Sequence, residues 1–141
     1  MFKFFKEKKD NNKQKNNLII MTASLLVHAA KMDQNYTDKE KLIIEKTLID
    51  LGCDNKDLKE IIKVAEEKEN ESNQILDFTR EIKSTDSNFK EKIVESLWKI
   101  IYSDNSADIY ESNLMRRLSG LLYLDNKQVG DIKERVKRNL K

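Results

Sequence analysis

Leu18-Ile-Ile-Met-Thr-Ala-Ser-Leu-Leu-Val-His-Ala-Ala30 decides what kind of chain this is. It follows a lysine-rich stretch, and Val27-His28-Ala29 imitates the small-residue cleavage site of a secretory signal. It also reads as a helix with apolar residues nearly all round, which belongs at the centre of a bundle. The segment is too short and too polar to span a bilayer. A counterpart deeper in the chain separates the two readings. Shifted by 71 residues, the chain matches itself without a gap: Leu26 falls on Leu97, Asp33 on Asp104, Glu40 on Glu111, Leu51 on Leu122 and Ile61 on Ile132. Asp54-Asn55-Lys56 falls on Asp125-Asn126-Lys127 in the same register. A segment that shares its register with an internal apolar helix is a core element rather than a leader.

Outward from this segment the pattern stays helical. The chain has 141 residues, about one domain, and no proline and only three glycines. An all-β fold needs both residues at its turns, and a phosphate-cradling loop needs glycine, so both are excluded. Charged residues make up 37% against an ordinary share of about 25%, yet 38% of the chain is hydrophobic, enough for a moderate core. Periodicity predicts seven helices. The first covers Leu18–Met32. The second, Asp38–Leu51, turns Leu42, Ile43, Leu48 and Leu51 inward. The third, Asn55–Lys68, buries Leu58, Ile61, Ile62 and Ala65, and the fourth, Ser72–Lys83, buries Ile75, Leu76, Phe78 and Ile82. The fifth, Ser87–Tyr102, is the second strongly apolar one, with Phe89, Ile93, Leu97, Trp98 and Ile101. The sixth covers Ile109–Tyr123, and the seventh, Asn126–Leu140, faces Val129, Ile132 and Val136 inward. The fold expected is all-α: a single seven-helix bundle with an internal pseudo-twofold repeat. Helices one to three answer to five to seven, and the fourth connects them.

Residues 1–17 carry six lysines against Glu7 and Asp10, a net of +4, while the whole chain has a net charge of +2. They are expected to form a basic, disordered tail ahead of a helical domain at 18–141, since they lack apolar periodicity. The apolar tip Met1-Phe-Lys-Phe-Phe5 and its lysines suit peripheral contact with a membrane surface. The near-neutral balance speaks against nucleic acid as a partner. Cys53 is the only cysteine and His28 the only histidine, so there is no intrachain disulfide and no His/Cys zinc site. A reducing, cytoplasmic compartment is expected, with the inner membrane as the place of any peripheral contact.

Several polar residues have local explanations. Thr37-Asp-Lys-Glu40 reads as a capping box and Asp108-Ile-Tyr-Glu111 as its twin; Asp54 and Asp125 start the third and seventh helices. Asp33 and Asp104 do not fit this scheme. Each ends a long apolar helix, where the negative end of the dipole disfavours a carboxylate by about 0.3–1 kcal/mol. The spacing lets Asp33 face Glu40, and Asp104 face Glu111, across four-residue turns, with the two pairs either together or at opposite ends of the bundle, and Asn35 and Asn105 could add oxygen ligands. Such an all-oxygen set suits Ca²⁺ or Mg²⁺. It is no EF-hand, because the span is too short and lacks the central glycine. Bracing of the turn by nearby amides is the alternative role for both aspartates. Trp98 is expected in the core, Arg80 partly buried and paired, and Arg116-Arg117 and Lys133 to Lys141 on solvated faces. No catalytic residues are expected: the chain shows no Ser-His-Asp order and no acid/base carboxylate pair.

Leu26-Val-His-Ala-Ala-Lys-Met-Asp33 followed by Thr37 and Glu40, then Phe78-Thr-Arg-Glu-Ile82, then Leu97-Trp-Lys-Ile-Ile-Tyr-Ser-Asp104 followed by Asp108 and Glu111, resembles the TerB family of tellurite-resistance proteins. That fold also forms the N-terminal domain of the co-chaperone DjlA. The resemblance covers Leu18 to Leu140 and implies a seven-helix fold with no known enzyme activity. It also implies links to chemical-stress responses, membrane-associated complexes and metal sensing, and the family's suggested acidic ligands match Asp33, Glu40, Asp104 and Glu111. The chain departs from the pattern at His28 and Lys99, where the family often has an acid, and at Gln34 and Asn105, where it often has glycine. Two functions follow as expectations. One is a TerB-like stress-response or scaffold protein that binds a divalent cation near the membrane. The other is a metal-free module for binding a protein partner, similar to the DjlA N-terminal domain.

Overall fold

A computed structural model describes the backbone of residues 2–32, 36–71, 75–104 and 109–139, and the side chains of 16–32, 36–71, 75–103 and 113–139. Seven α-helices appear among these residues: α1 Phe2–Lys31, α2 Asp38–Asp50, α3 Leu58–Glu71, α4 Ile75–Ile82, α5 Ser87–Ile101, α6 Ile109–Leu121 and α7 Asn126–Asn139. Short 3₁₀ turns, Asn55–Asp57 and Tyr102–Asp104, precede α3 and follow α5. The all-α class is as the sequence leads one to expect.

The Leu18–Met32 segment lies in the interior as far as Ala30, and Met32 at its end is 37% exposed. Leu25, Leu26 and Val27 are consecutive and all have 0% exposure, which a helix achieves only when neighbours cover it on every side. Those neighbours are chiefly α3 and α4, then α5 and α2. The polar residues buried with them are satisfied by the helix itself. Thr22 Oγ1 donates to the Leu18 carbonyl at 2.8 Å, and Ser24 Oγ donates to that of Ile20 at 2.8 Å. The second apolar rod, α5, buries Ile93, Val94, Leu97, Trp98, Ile100 and Ile101 and packs mainly on α7, then on α1 and α2. Trp98 is a core residue whose Nε1–H donates to the Val129 carbonyl at 3.2 Å.

The 71-residue offset recurs in the element bounds: α2 spans 38–50 and α6 spans 109–121. Both helices end in the same way. The Cys53 amide reaches back to the Leu48 carbonyl at 2.9 Å, and the Leu124 amide to that of Ser119 at 2.8 Å. Each pair closes a Schellman turn around one left-handed residue, Gly52 (φ 108) in the first case and Tyr123 (φ 57) in the second.

Five expectations differ from the structure. The backbone of residues 2–17 continues α1 where a disordered tail was expected. The tract contains no proline or glycine and is rich in lysine and glutamine, so a helix nucleated in the apolar segment propagates through it. Leu42 is 55% exposed, and Ile44 points inward instead, about 200° away round α2. Leu76 is also exposed, about 100° from the Ile75 stripe of α4. Asp54 makes no side-chain cap, whereas Asp125 Oδ1 accepts from the Lys127 amide at 3.1 Å. Arg80 is exposed rather than buried.

Candidate functional site at the turn between the first two helices

Thr37 takes an extended conformation, φ −91 and ψ 163, which stops the chain before α2. Its Oγ1 accepts from the Glu40 amide at 3.2 Å, and Glu40 Oε1 accepts from the Thr37 amide at 2.9 Å and from Thr37 Oγ1 at 3.0 Å. This is the expected capping box, and it explains why Glu40 is only 3% exposed. Of the four acids proposed from sequence, Glu40 is the one whose side chain the structure places. Asp33 lies outside the described residues, as do Asn35, Asn105, Asp108 and the side chains of Asp104 and Glu111.

Around this cap the structure gathers groups from α1 and α3. Tyr36 donates its hydroxyl proton to Glu66 Oε1 at 3.3 Å, and Lys41 Nζ lies 3.6 Å from the same oxygen. Burial, then the charge and hydrogen bond of Glu66, then the charges of Glu40 and Glu45, push the Tyr36 hydroxyl well above the ordinary tyrosine range. A cleft of about 310 Å³ opens beside it, lined by Lys31, Tyr36, Lys63, Glu66, Glu67 and Asn70. One turn further along, Glu69 is buried against the end of α1. Lys31 Nζ holds its Oε2 at 2.8 Å and His28 Nδ1 holds its Oε1 at 3.3 Å. Lys31 also donates to Asn70 Oδ1 at 3.4 Å.

Tyr36, Glu66 and Glu69 were not singled out from sequence. The signal was present in the rule that singled out Asp33. Glu66, Glu67, Glu69 and Glu71 crowd the C-terminal end of α3, where the helix dipole disfavours carboxylates, and so they call for cations nearby. Two positions at which the sequence departs from the family it resembles both engage carboxylates. His28 meets Glu69, and Lys99 meets Glu95 at 3.4 Å. His28 therefore does not meet Cys53, whose Sγ lies 3.5 Å from the Asp54 carbonyl. Among the described residues, no three His, Cys, Asp or Glu side chains are grouped to hold a metal ion. No helix among them is long and apolar enough to cross a membrane.

Set against known proteins, residues 20–134 match the family model described as tellurite resistance protein TerB. No curated protein and no solved structure matches the chain.

Proposed function

Because the chain belongs to the TerB family, we propose that it is a stress-response or scaffold protein that works by binding and not by catalysis. The turn between α1 and α2 is its contact site. The observation that carries this reading is the gathering of carboxylates there: Glu66 accepts from Tyr36 at 3.3 Å, and Glu40 caps α2 one residue beyond Lys39, with Asp33 three residues before Tyr36 in the chain. Carboxylate oxygens are the ligands that hard cations take. In its finer form the reading places Ca²⁺ or Mg²⁺ at Asp33, Glu40, Asp104 and Glu111, an all-oxygen set of the kind hard cations take. Glu40 Oε1 would then be shared between the cation and the Thr37 cap. Residues 1–17 bring the protein to the cytoplasmic face of the inner membrane through their lysines and apolar tip.

The test is thermal unfolding with either ion in millimolar excess. Binding raises the melting temperature, and Asp33→Asn combined with Asp104→Asn abolishes the rise. No shift with the unaltered chain removes the cation and leaves the second reading, a metal-free module for a protein partner like the DjlA N-terminal domain. Two observations favour that alternative. Glu40 is already engaged in the cap, and Lys31 sets the chain's own cation against Glu69 beside the turn, with His28 on the same carboxylate. Capture experiments with and without residues 1–17 separate a membrane from a protein partner.

A further inference from the structure

The seam between α2 and α5 is a second place where charged side chains line a cleft between helices. The two helices face each other through matched spacings, Ile43, Lys46, Thr47 and Asp50 on one wall and Lys92, Glu95, Ser96 and Lys99 on the other. These are i, i+3, i+4 and i+7 positions, one face of each helix. Thr47 and Ser96 meet across the seam through their hydroxyls, and both are buried. The long charged side chains around them leave a cleft of about 250 Å³.

We propose that this cleft binds a phosphate monoester or an equivalent tetrahedral dianion. Lys46 lines it from α2, and Lys92 and Lys99 line it from α5, so both walls carry lysines. Glu95 is already answered by Lys99 at 3.4 Å and by Arg135 at 3.5 Å. Lys92 Nζ makes only a long bond, 3.4 Å, to the Asp50 carbonyl, and Lys46 makes no ion pair among the described residues. Three lysines against Asp50 and Glu95 line the cleft at a net +1, and Arg135 answers Glu95 from beside it, so the lining suits an anion. The hydroxyls do not compete for the role. Thr47 Oγ1 donates to the Ile43 carbonyl at 2.8 Å, so Ser96 supplies the proton of the Thr47–Ser96 bond and the floor has no proton left to give. Recognition falls to the ammonium groups, which bind phosphate as point charges. The volume is below that of sites for drug-sized ligands and suits a small headgroup.

The experiment titrates inorganic phosphate, then glycerol phosphate, into the full chain at constant ionic strength while amide shifts are recorded. Saturating shifts are expected at Lys46, Thr47, Lys92, Ser96 and Lys99. Lys46→Gln with Lys92→Gln should weaken binding at least tenfold, while Lys59→Gln with Lys68→Gln on α3 should leave it unchanged. Both lysines of the first pair are exposed, so the fold survives their replacement. Vesicles containing phosphatidic acid distinguish the source. Binding to them that is lost in Lys46→Gln/Lys92→Gln assigns the site to a lipid headgroup, and no such loss beside saturable glycerol phosphate binding assigns it to a soluble ester. Shifts that fail to saturate, or that spread equally over all surface lysines, overturn the proposal.

Discussion

Replacing either partner of the Lys31–Glu69 pair should have unequal effects, and the inequality follows from where each side chain sits. The Lys31 side chain is 38% exposed, whereas that of Glu69 is 11% exposed. Lys31→Met leaves a buried carboxylate with His28 as its remaining neighbour, 3.3 Å away. Removing one partner of a fully buried pair costs roughly 3–5 kcal/mol. The partial exposure of Lys31 and the remaining imidazole reduce this to about 2–3 kcal/mol. Glu69→Gln leaves an ammonium that can turn to water, and the amide oxygen still accepts, so the cost is about 1 kcal/mol. For a chain of this length each kcal/mol moves the melting temperature by roughly 3–4 °C. Lys31→Met should therefore melt about 3–8 °C lower than Glu69→Gln. Urea unfolding with unchanged m-values is the assay, and the double variant completes a thermodynamic cycle. If Glu69→Gln proves as costly as Lys31→Met, or costlier, the argument that the buried partner sets the penalty is refuted.

Two further predictions concern a phenol and two glycines. The folded state holds the Tyr36 hydroxyl above its unfolded value, so the associated stability is present below about pH 10 and is lost as pH rises through the higher folded value. Tyr36→Phe should flatten the alkaline fall in melting temperature while lowering stability near pH 7 by about 1 kcal/mol for the lost bond to Glu66; an unchanged alkaline slope contradicts the assignment. A Cβ at Gly130, inside α7, meets nothing within 4 Å, so Gly130→Ala should stabilise by about 0.5–1 kcal/mol. Gly52→Ala should cost about 1–2 kcal/mol because its φ of 108 suits only glycine. Equal effects at the two glycines would show that backbone conformation does not govern them.

The helical class, the burial of Leu18–Met32 and the Thr37–Glu40 box were legible because each rests on a local pattern. Apolar periodicity marks a helix, and a hydroxyl followed three residues later by a carboxylate marks its start. The polar beginning of α1 was not legible, because a helix without an apolar face leaves no periodic trace. Leu42 shows the limit of reading a single face: two apolar residues, Ile43 and Ile44, adjoin it, and only the neighbours of α2 decide which one turns inward. At the candidate site, the cap of Glu40 was local and legible. The meetings of Tyr36 with Glu66, and of His28 and Lys31 with Glu69, join residues 30 to 41 positions apart, so they depend on how α3 lies along α1.

The continuity of α1 has a mechanical consequence. Its 30 residues form one rod about 45 Å long, with the lysine-rich beginning at one tip and the acidic turn just beyond the other. Whatever grips the first residues therefore sets the height and tilt of that turn, as a mast sets the position of what it carries. A short insertion of three or four residues near Asn12 would lengthen the mast by about 5 Å and keep the helical phase nearly unchanged, whereas two residues would swing the body by about 200°.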